Sequence, residues 1–319
     1  SRHRASLVES CSRQIHLMQK ALDQMNIHLH KAVTDITGVT GTKIIEAILD
    51  GRRDPVALAR LRHPRVKKPE NEIAQALRGT YRAEHLFALR QAYEAFRFFQ
   101  TQLEACDAAI QERLAALPAS DAGPCPQTAA NDTPKATPVK RRKNQPHFDL
   151  SAELRRISGV DVTAIPGISA NTAQILLTEC GHDLQAFPTE KHFASWLGLC
   201  PNNRKTGGQI RGTRTRKVAN RAATALRIAA QSLHRSRTAL GAYYRRMRTR
   251  LGAPKAITAT AHKLARLFYR MLKHGQDYVE RGQDYYEKLY RDRVLRNLSK
   301  TAKHYDLQLV YVETGEVVS

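Results

Sequence analysis

The sequence predicts a mainly α-helical protein, in which a long coiled-coil helical hairpin is followed by a second helical domain. Two observations predict this class. Apolar residues recur at intervals of three and four over most of the chain, as on one face of a helix. A Pro-rich segment also divides the chain into two parts, and 319 residues with 42% hydrophobic content suffice for about two cores.

The first apolar seam runs at intervals of four and three, which indicates one long helix. Its members are Cys11, Ile15, Met18, Leu22, Met25 and Leu29. The second seam comprises Leu86, Leu89, Tyr93, Phe96, Leu103, Ile110, Leu114 and Leu117. Its rhythm passes through Gln100 and Asp107, whose polarity would soften the packing and set the register. Between the seams, Gly38, Gly41, Gly51 and Pro55 indicate short helices joined by turns.

Two interpretations of these seams stay open. One is a hairpin within a single chain, and the other is a dimerising coiled coil, which gives the expectation of a homo-oligomer.

Composition predicts four segments. They are a helical coiled-coil region at 1–117, a Pro-rich basic linker at 118–147, a helical domain at 148–275, and a C-terminal helix with a short strand at 276–319. The linker ends in the basic cluster Lys140-Arg141-Arg142-Lys143. Within the last two segments, helical patterns cover 171–180, 189–197, 215–234, 238–251, 255–273 and 283–303. Leu307, Leu309 and Tyr311 then alternate with Gln308, Val310 and Val312, which indicates the short strand.

The charge distribution is the strongest functional signal. The net charge is +23, and residues 191–276 contain 20 Lys and Arg but no Asp or Glu. Solvated helices normally mix both signs, so one-signed charge of this length indicates a polyanionic partner. A membrane surface fits less well, because the basic residues do not lie opposite a large apolar stripe and no apolar run approaches the roughly 20 residues of a span. We therefore expect nucleic-acid binding.

Cysteine and histidine content predicts neither a disulfide framework nor a metal site. The five cysteines are scattered without a Cys-x-x-Cys pair, and the thirteen histidines include no His-x-x-x-His pair. The cysteine usage and the absence of a signal-peptide core at Ser1 give the expectation of a cytoplasmic, nucleoid-associated bacterial protein.

Two local motifs suit phosphate contact. Ile165-Pro-Gly-Ile-Ser169 precedes a helical pattern, so Gly167 and Ser169 would open a helix whose first N–H groups can meet a phosphate, as in a helix-hairpin-helix motif. After Trp196-Leu-Gly-Leu-Cys-Pro201 comes Lys205-Thr-Gly-Gly-Gln209, where Gly207 and Gly208 would let the backbone approach a phosphate beside the Thr206 hydroxyl. A plain hairpin turn is the alternative interpretation of the second motif.

Several ordered motifs together resemble the DEDD-type insertion-sequence transposases of the IS110 group. In the second half they are Ile165–Ile168, Phe193–Pro201, Thr206–Gly208, Arg216–Ala222 and Leu251–Ala256. Thr37–Gly41 and Gly51–Pro55 resemble the family's coiled-coil region, so the resemblance covers nearly the whole chain.

The resemblance implies a catalytic arrangement divided between two domains. The family joins a RuvC-like domain, whose four acidic residues hold Mg²⁺, to a domain that supplies a serine nucleophile; some members are guided by a structured RNA. Thr206 stands at the serine position, and its methyl group restricts the hydroxyl. No acidic RuvC-like pattern precedes the first seam, so we expect a fragment without that domain, with no cofactor of its own and Mg²⁺ only alongside the missing domain.

Three functional hypotheses follow, in order of preference. The first is the DNA-binding and nucleophile part of a DNA transposase or recombinase, inactive alone. The second is a non-catalytic nucleic-acid-binding module, and the third is a structural helical dimer whose charge aids solubility. For the first two, the residues expected to contact DNA or RNA are Gly167, Ser169, Arg204, Lys205, Gly207, Gly208, Arg211, Arg214, Arg216, Lys217 and Arg221.

Overall fold

Helices make up most of the computed structural model, which describes residues 1–119, 144–182, 184–275, 282–312 and 317. The predicted mainly α-helical class is confirmed. Two compact units are present: unit 1 contains the described residues of 1–113 and 142–148, and unit 2 those of 114–141 and 149–319. Most of the predicted linker, including its cluster at 140–143, lies outside the described residues. None of the described helices combines the length and apolarity of a bilayer span.

Unit 1 contains six helices within the described residues. They are α1 (Arg2–Gln24), α2 (Leu29–Ala32), α3 (Val39–Leu49), α4 (Pro55–Ala59), α5 (Glu70–Ala76) and α6 (Ala83–Ala115). Met18, Leu22, Met25 and Leu29 of the first seam are buried together with Ile44, Ile45 and Ile48 of α3. The first seam therefore faces the core of its own chain.

The prediction of one helix reaching Leu29 is wrong. Helix α1 ends at Gln24, and Asn26 takes a left-handed backbone conformation with φ of 60°. This reversal places Ile27 and Leu29 in the core, and the His28 N–H donates to the carbonyl of Ala76 at 2.8 Å. Burial of two further apolar side chains outweighs the single helical hydrogen bonds lost at the turn.

Helix α6 runs antiparallel to α1. At one end the Arg4 guanidinium forms a bidentate, buried ion pair with Asp107, and at the other the Thr80 N–H donates to the Met25 carbonyl at 2.9 Å. Leu89 and Phe96 enter the core of unit 1, whereas Leu117, beyond the end of α6, is exposed. The polar position at Asp107 thus fixes the alignment of two helices within one chain. Formation of a homo-oligomer stays a prediction.

Unit 2 contains seven helices and one two-stranded sheet within the described residues. The helices are α7 (Leu150–Ser158), α8 (Ala170–Cys180), α9 (Glu190–Trp196), α10 (Arg221–Ser232), α11 (Ala239–Leu251), α12 (Ala253–His274) and α13 (Gly282–His304), and the strands are β1 (Arg204–Thr206) and β2 (Gln209–Gly212). Helix α12 packs against α9, α10 and α11. Buried alanines of α10 and α12 allow a close approach, and the rings of Phe193 and Phe268 stack with centroids 6.0 Å apart.

Two predicted elements of unit 2 are corrected. Residues 215–220 are not helical, because Asn220 caps α10 with its side-chain oxygen, which accepts from the Ala223 N–H at 3.1 Å. The predicted strand over 307–312 is reduced to one bridge, between Val310 and Val317. The other helical patterns of unit 2 agree with the observed helices to within two residues.

Candidate nucleic-acid interface

A short β-hairpin in unit 2 exposes the side chains of its first strand to solvent. Strands β1 and β2 are antiparallel, with Thr206 paired to Gln209 across the turn. Gly207 and Gly208 form that turn with φ of 57° and 75°. Two consecutive positive φ values are the requirement of a type I′ hairpin turn, which explains both glycines. The motif therefore forms a hairpin turn, and contact of this turn with a phosphate stays a prediction.

The hairpin and its flanks, residues 201–219, are here called the cationic hairpin. They contain no acidic residue and six exposed basic ones: Arg204, Lys205, Arg211, Arg214, Arg216 and Lys217. The Arg216 guanidinium donates to the Ser195 carbonyl at 2.7 Å. Within the described part of the chain, the side chains of the other five form neither an ion pair nor a hydrogen bond. Their charges are thus available to an external anion.

Contacts with the end of α9 fix the base of the cationic hairpin. Gly198 follows α9 with φ of 65°, and a Cβ there would lie 2.0 Å from Cγ2 of Val218. The Asn202 N–H donates to the Arg214 carbonyl at 3.1 Å, and Pro201 forms a bridge with Thr215. The two flanks are therefore held side by side, while β1 and the turn stay exposed.

Thr206 lies beside the turn, and its side chain is exposed. Its hydroxyl is accessible to a phosphate, but no acidic residue occurs from 191 to 276. Mg²⁺ prefers carboxylate and other oxygen ligands, and the charged side chains of the cationic hairpin are all positive. The residues of this surface therefore do not fit a magnesium site.

The Pro-Gly motif forms the turn before α8. Gly167 has φ of 90°, and the Ile168 N–H donates to the Ile165 carbonyl at 3.0 Å. Ser169 caps α8, with its hydroxyl accepting from the Thr172 N–H at 3.3 Å. A Cβ on Gly167 would lie 2.8 Å from the Ala229 carbonyl oxygen, so this glycine also permits close packing on α10.

Comparison with known proteins connects these motifs to one family. Residues 161–245, which contain both the Pro-Gly turn and the cationic hairpin, match the sequence profile of the transposase IS116/IS110/IS902 family. The chain is 31% identical over 147 residues to the uncharacterised 43.6 kDa protein of insertion element IS110 from Streptomyces coelicolor, covering 44% of this chain and 35% of that protein. These matches support an IS110-type transposase.

A second relative agrees. It is a candidate transposase of Sinorhizobium fredii, y4pF/y4sB, 33% identical over 126 residues, or 36% of this chain and 31% of that protein. The chain thus spans about a third of the length of these relatives. No solved structure matches.

Unit 2 places the expected contact residues at two separate positions. Gly167 approaches the C-terminal end of α10, whereas Arg221 at its N-terminal end lies 3.6 Å from the Glu179 carboxylate near the end of α8. The two helices are therefore antiparallel, and the 11 residues of α8 span about 16 Å. Gly167 and Ser169 do not share a pocket with the cationic hairpin. Part of the Arg221 charge is also neutralised by Glu179.

Other cations within residues 191–276 form internal contacts in unit 2. Arg270 and Arg266 donate to Glu190 at 2.6 and 2.8 Å, and these hydrogen bonds, that of Arg270 foremost, lower the pKa of Glu190 to about 2. The Arg246 guanidinium lies 3.3 Å from the ring centroid of Tyr290 on α13. Charge counting along the sequence could not distinguish these cations from the cationic hairpin. The available signal was Glu190, the last acid before the stretch.

Proposed function

We propose that this chain is the DNA-binding part of an insertion-sequence transposase and that it holds DNA phosphates on the cationic hairpin. The observation that supports this proposal is the set of six exposed basic side chains, without one acidic neighbour, in a segment of the transposase family. Arg and Lys neutralise phosphates and release counterions, which favours binding without sequence preference. The N-terminus of α8 offers a second, separate phosphate contact.

Thr206 is the proposed nucleophile of strand cleavage and rejoining. Its Oγ would form a bond to phosphorus as the bond to a deoxyribose oxygen breaks, with the Oγ proton lost and the leaving oxygen protonated. The cationic hairpin supplies phosphate binding and the hydroxyl but no carboxylate to remove the proton. The reaction therefore requires an acidic, metal-holding segment beyond the residues of this surface.

The test uses the full chain with a DNA carrying an insertion-sequence end, alone and with the acidic segment of an intact relative. We expect a denaturant-resistant protein–DNA adduct for the wild type and Thr206→Ser only when that segment is present. Thr206→Ala should form none while binding DNA with unchanged Kd. Thr213→Ala, an exposed threonine of the same cationic hairpin, is the matched control. An adduct formed by Thr206→Ala would show that another residue is the nucleophile.

A non-catalytic nucleic-acid-binding module is the second candidate function. It is favoured by Thr206 in place of serine and by the lack of acidic residues from 191 to 276. It predicts tight binding and no adduct for any variant, even with the acidic segment. A structured RNA is a further proposed partner, because the same cations would neutralise its phosphates. Competition between duplex DNA and folded RNA would rank the two ligands.

A further inference from the structure

We propose a Zn²⁺ site in unit 1, formed by Asp23, His28 and His30. One ligand atom from each of these residues lies within 4.8 Å of the others. Imidazole nitrogen and carboxylate oxygen are a donor set that zinc prefers. The proposal does not depend on the proposed function, since the cationic hairpin belongs to unit 2.

The chain reversal after α1 brings the three side chains together. Asp23 lies in the last turn of α1, and His28 and His30 lie at the start of α2. Ile27 and Leu29 point into the core, so the alternate residues His28 and His30 face outward on one side. The hydrogen bond from the His28 N–H to the Ala76 carbonyl fixes this arrangement. The fold therefore brings the group together, and the His28 and His30 rings also meet edge to face with centroids 5.9 Å apart.

The distances fit a shared ion better than direct hydrogen bonds. Nδ1 of His28 and Nδ1 of His30 lie 3.6 and 3.4 Å from the same oxygen of Asp23. Both exceed the usual hydrogen-bond range of about 2.7–3.2 Å. Ligands bound at about 2.0–2.1 Å around tetrahedral zinc stand about 3.4 Å apart, which is close to both separations.

The His28 imidazole supplies a second observation. Its Nδ1 is buried and has no hydrogen-bond partner in the structure. A buried polar atom without a partner is costly, and a metal ion between Nδ1 and Asp23 removes that cost. Among the described residues, Asp23 forms no ion pair with a lysine or arginine that would compete for its carboxylate. The fourth position of the ion is open to water, as in zinc sites with three protein ligands.

No His-x-x-x-His pair marks this site in the sequence. The signal is a His-x-His pair, His28 and His30, five residues after an aspartate at a helix end. Its ligands come from two helices, so the bound ion would cross-link the end of α1 to α2. Zinc should therefore stabilise unit 1 against unfolding.

The test measures metal binding to the metal-free full chain. We expect one equivalent of Zn²⁺ to bind, Co²⁺ to give the visible absorption of a tetrahedral site, and the melting temperature to rise with Zn²⁺. Asp23→Asn, His28→Gln and His30→Gln should each weaken binding more than about tenfold, the scale on which removal of even an outer-sphere partner acts. His16→Gln, an exposed histidine of α1, should bind as the wild type does.

Two outcomes would overturn the proposal. One is wild-type protein that takes up no zinc at a one-to-one ratio. The other is equal zinc affinity in the three ligand variants and His16→Gln, which would indicate adventitious binding to other histidines. Because the ligand side chains are all about a third or more exposed, these substitutions should not unfold the protein. One equivalent of zinc should also shift the imidazole resonances of two histidines in the unmodified chain.

Discussion

Single glycines carry two different constraints in unit 2. Gly167 and Gly275 both adopt positive φ, at 90° and 59°. A Cβ on Gly167 would lie 2.8 Å from a backbone oxygen of α10, whereas one on Gly275 would meet no atom within 4 Å. Gly275 is therefore required by backbone conformation alone. Gly167 is required by conformation and by packing.

Gly167→Ala should destabilise the protein more than Gly275→Ala. Both variants pay the strain of a left-handed alanine, about 1 kcal/mol, and both gain from a stiffer unfolded chain. Only Gly167→Ala must also move the turn away from α10, which adds about 1–3 kcal/mol. Urea unfolding followed by circular dichroism measures the difference. Equal free energies of unfolding for the two variants would show that the contact between Gly167 and α10 adds no destabilisation.

At the scale of elements, local sequence patterns predicted most of the helices but not all of their boundaries. The 238–251 and 255–273 patterns correspond to α11 and α12, which bury Leu240 and Tyr244 of α11 and Leu264 and Phe268 of α12. The predicted helix over 215–220 is wrong because Val218 packs against Gly198, twenty positions away. The turn at Asn26 was missed for a similar reason, since the chain after it is held by a hydrogen bond from His28 to Ala76. Contacts distant in sequence decided these boundaries.

The candidate interface also combines features that are set locally with features that depend on distant contacts. Gly207-Gly208 fixes the hairpin turn locally, so that turn and its neighbouring cations were predictable. The separation of Gly167 from the cationic hairpin was not, because it depends on the antiparallel packing of α8 and α10. Nor could the sequence show that Arg266 and Arg270 are paired with Glu190.

The alignment of α1 with α6 depends on the buried Arg4–Asp107 pair. Asp107→Asn leaves the Arg4 charge buried without its counterion, so we expect a loss of about 3–5 kcal/mol in the free energy of unfolding. Arg4→Met combined with Asp107→Leu removes both charges and should recover most of that loss. Glu72→Gln breaks the exposed Lys68–Glu72 pair and should cost at most about 0.5 kcal/mol. Denaturant unfolding of all three variants measures these free energies. An equal loss of stability in Asp107→Asn and Glu72→Gln would contradict the prediction.

Across the whole molecule, the basic side chains fall into two classes that the net charge does not distinguish. Some cations are paired internally, as Arg221 is with Glu179, and others, among the described residues, are exposed without an acidic partner, as in the cationic hairpin. Only the second kind can release counterions from a bound nucleic acid. The salt dependence of binding therefore measures how many cations act, independently of the total of +23.

If the six basic residues of the cationic hairpin each neutralise one phosphate, log Kobs should fall with log salt with a slope of about −5, at about −0.9 per phosphate. Arg211→Ala and Lys217→Ala should each reduce the magnitude of that slope by about 1 and weaken binding to all duplex sequences alike. Arg13→Ala, on the exposed face of α1, removes the same formal charge and should leave the slope unchanged. Fluorescence anisotropy with a labelled duplex at several salt concentrations measures all four proteins. A flat salt response would exclude phosphate binding. If Arg13→Ala reduced the magnitude of the slope as much as the other two substitutions, binding would depend on net charge and not on this surface.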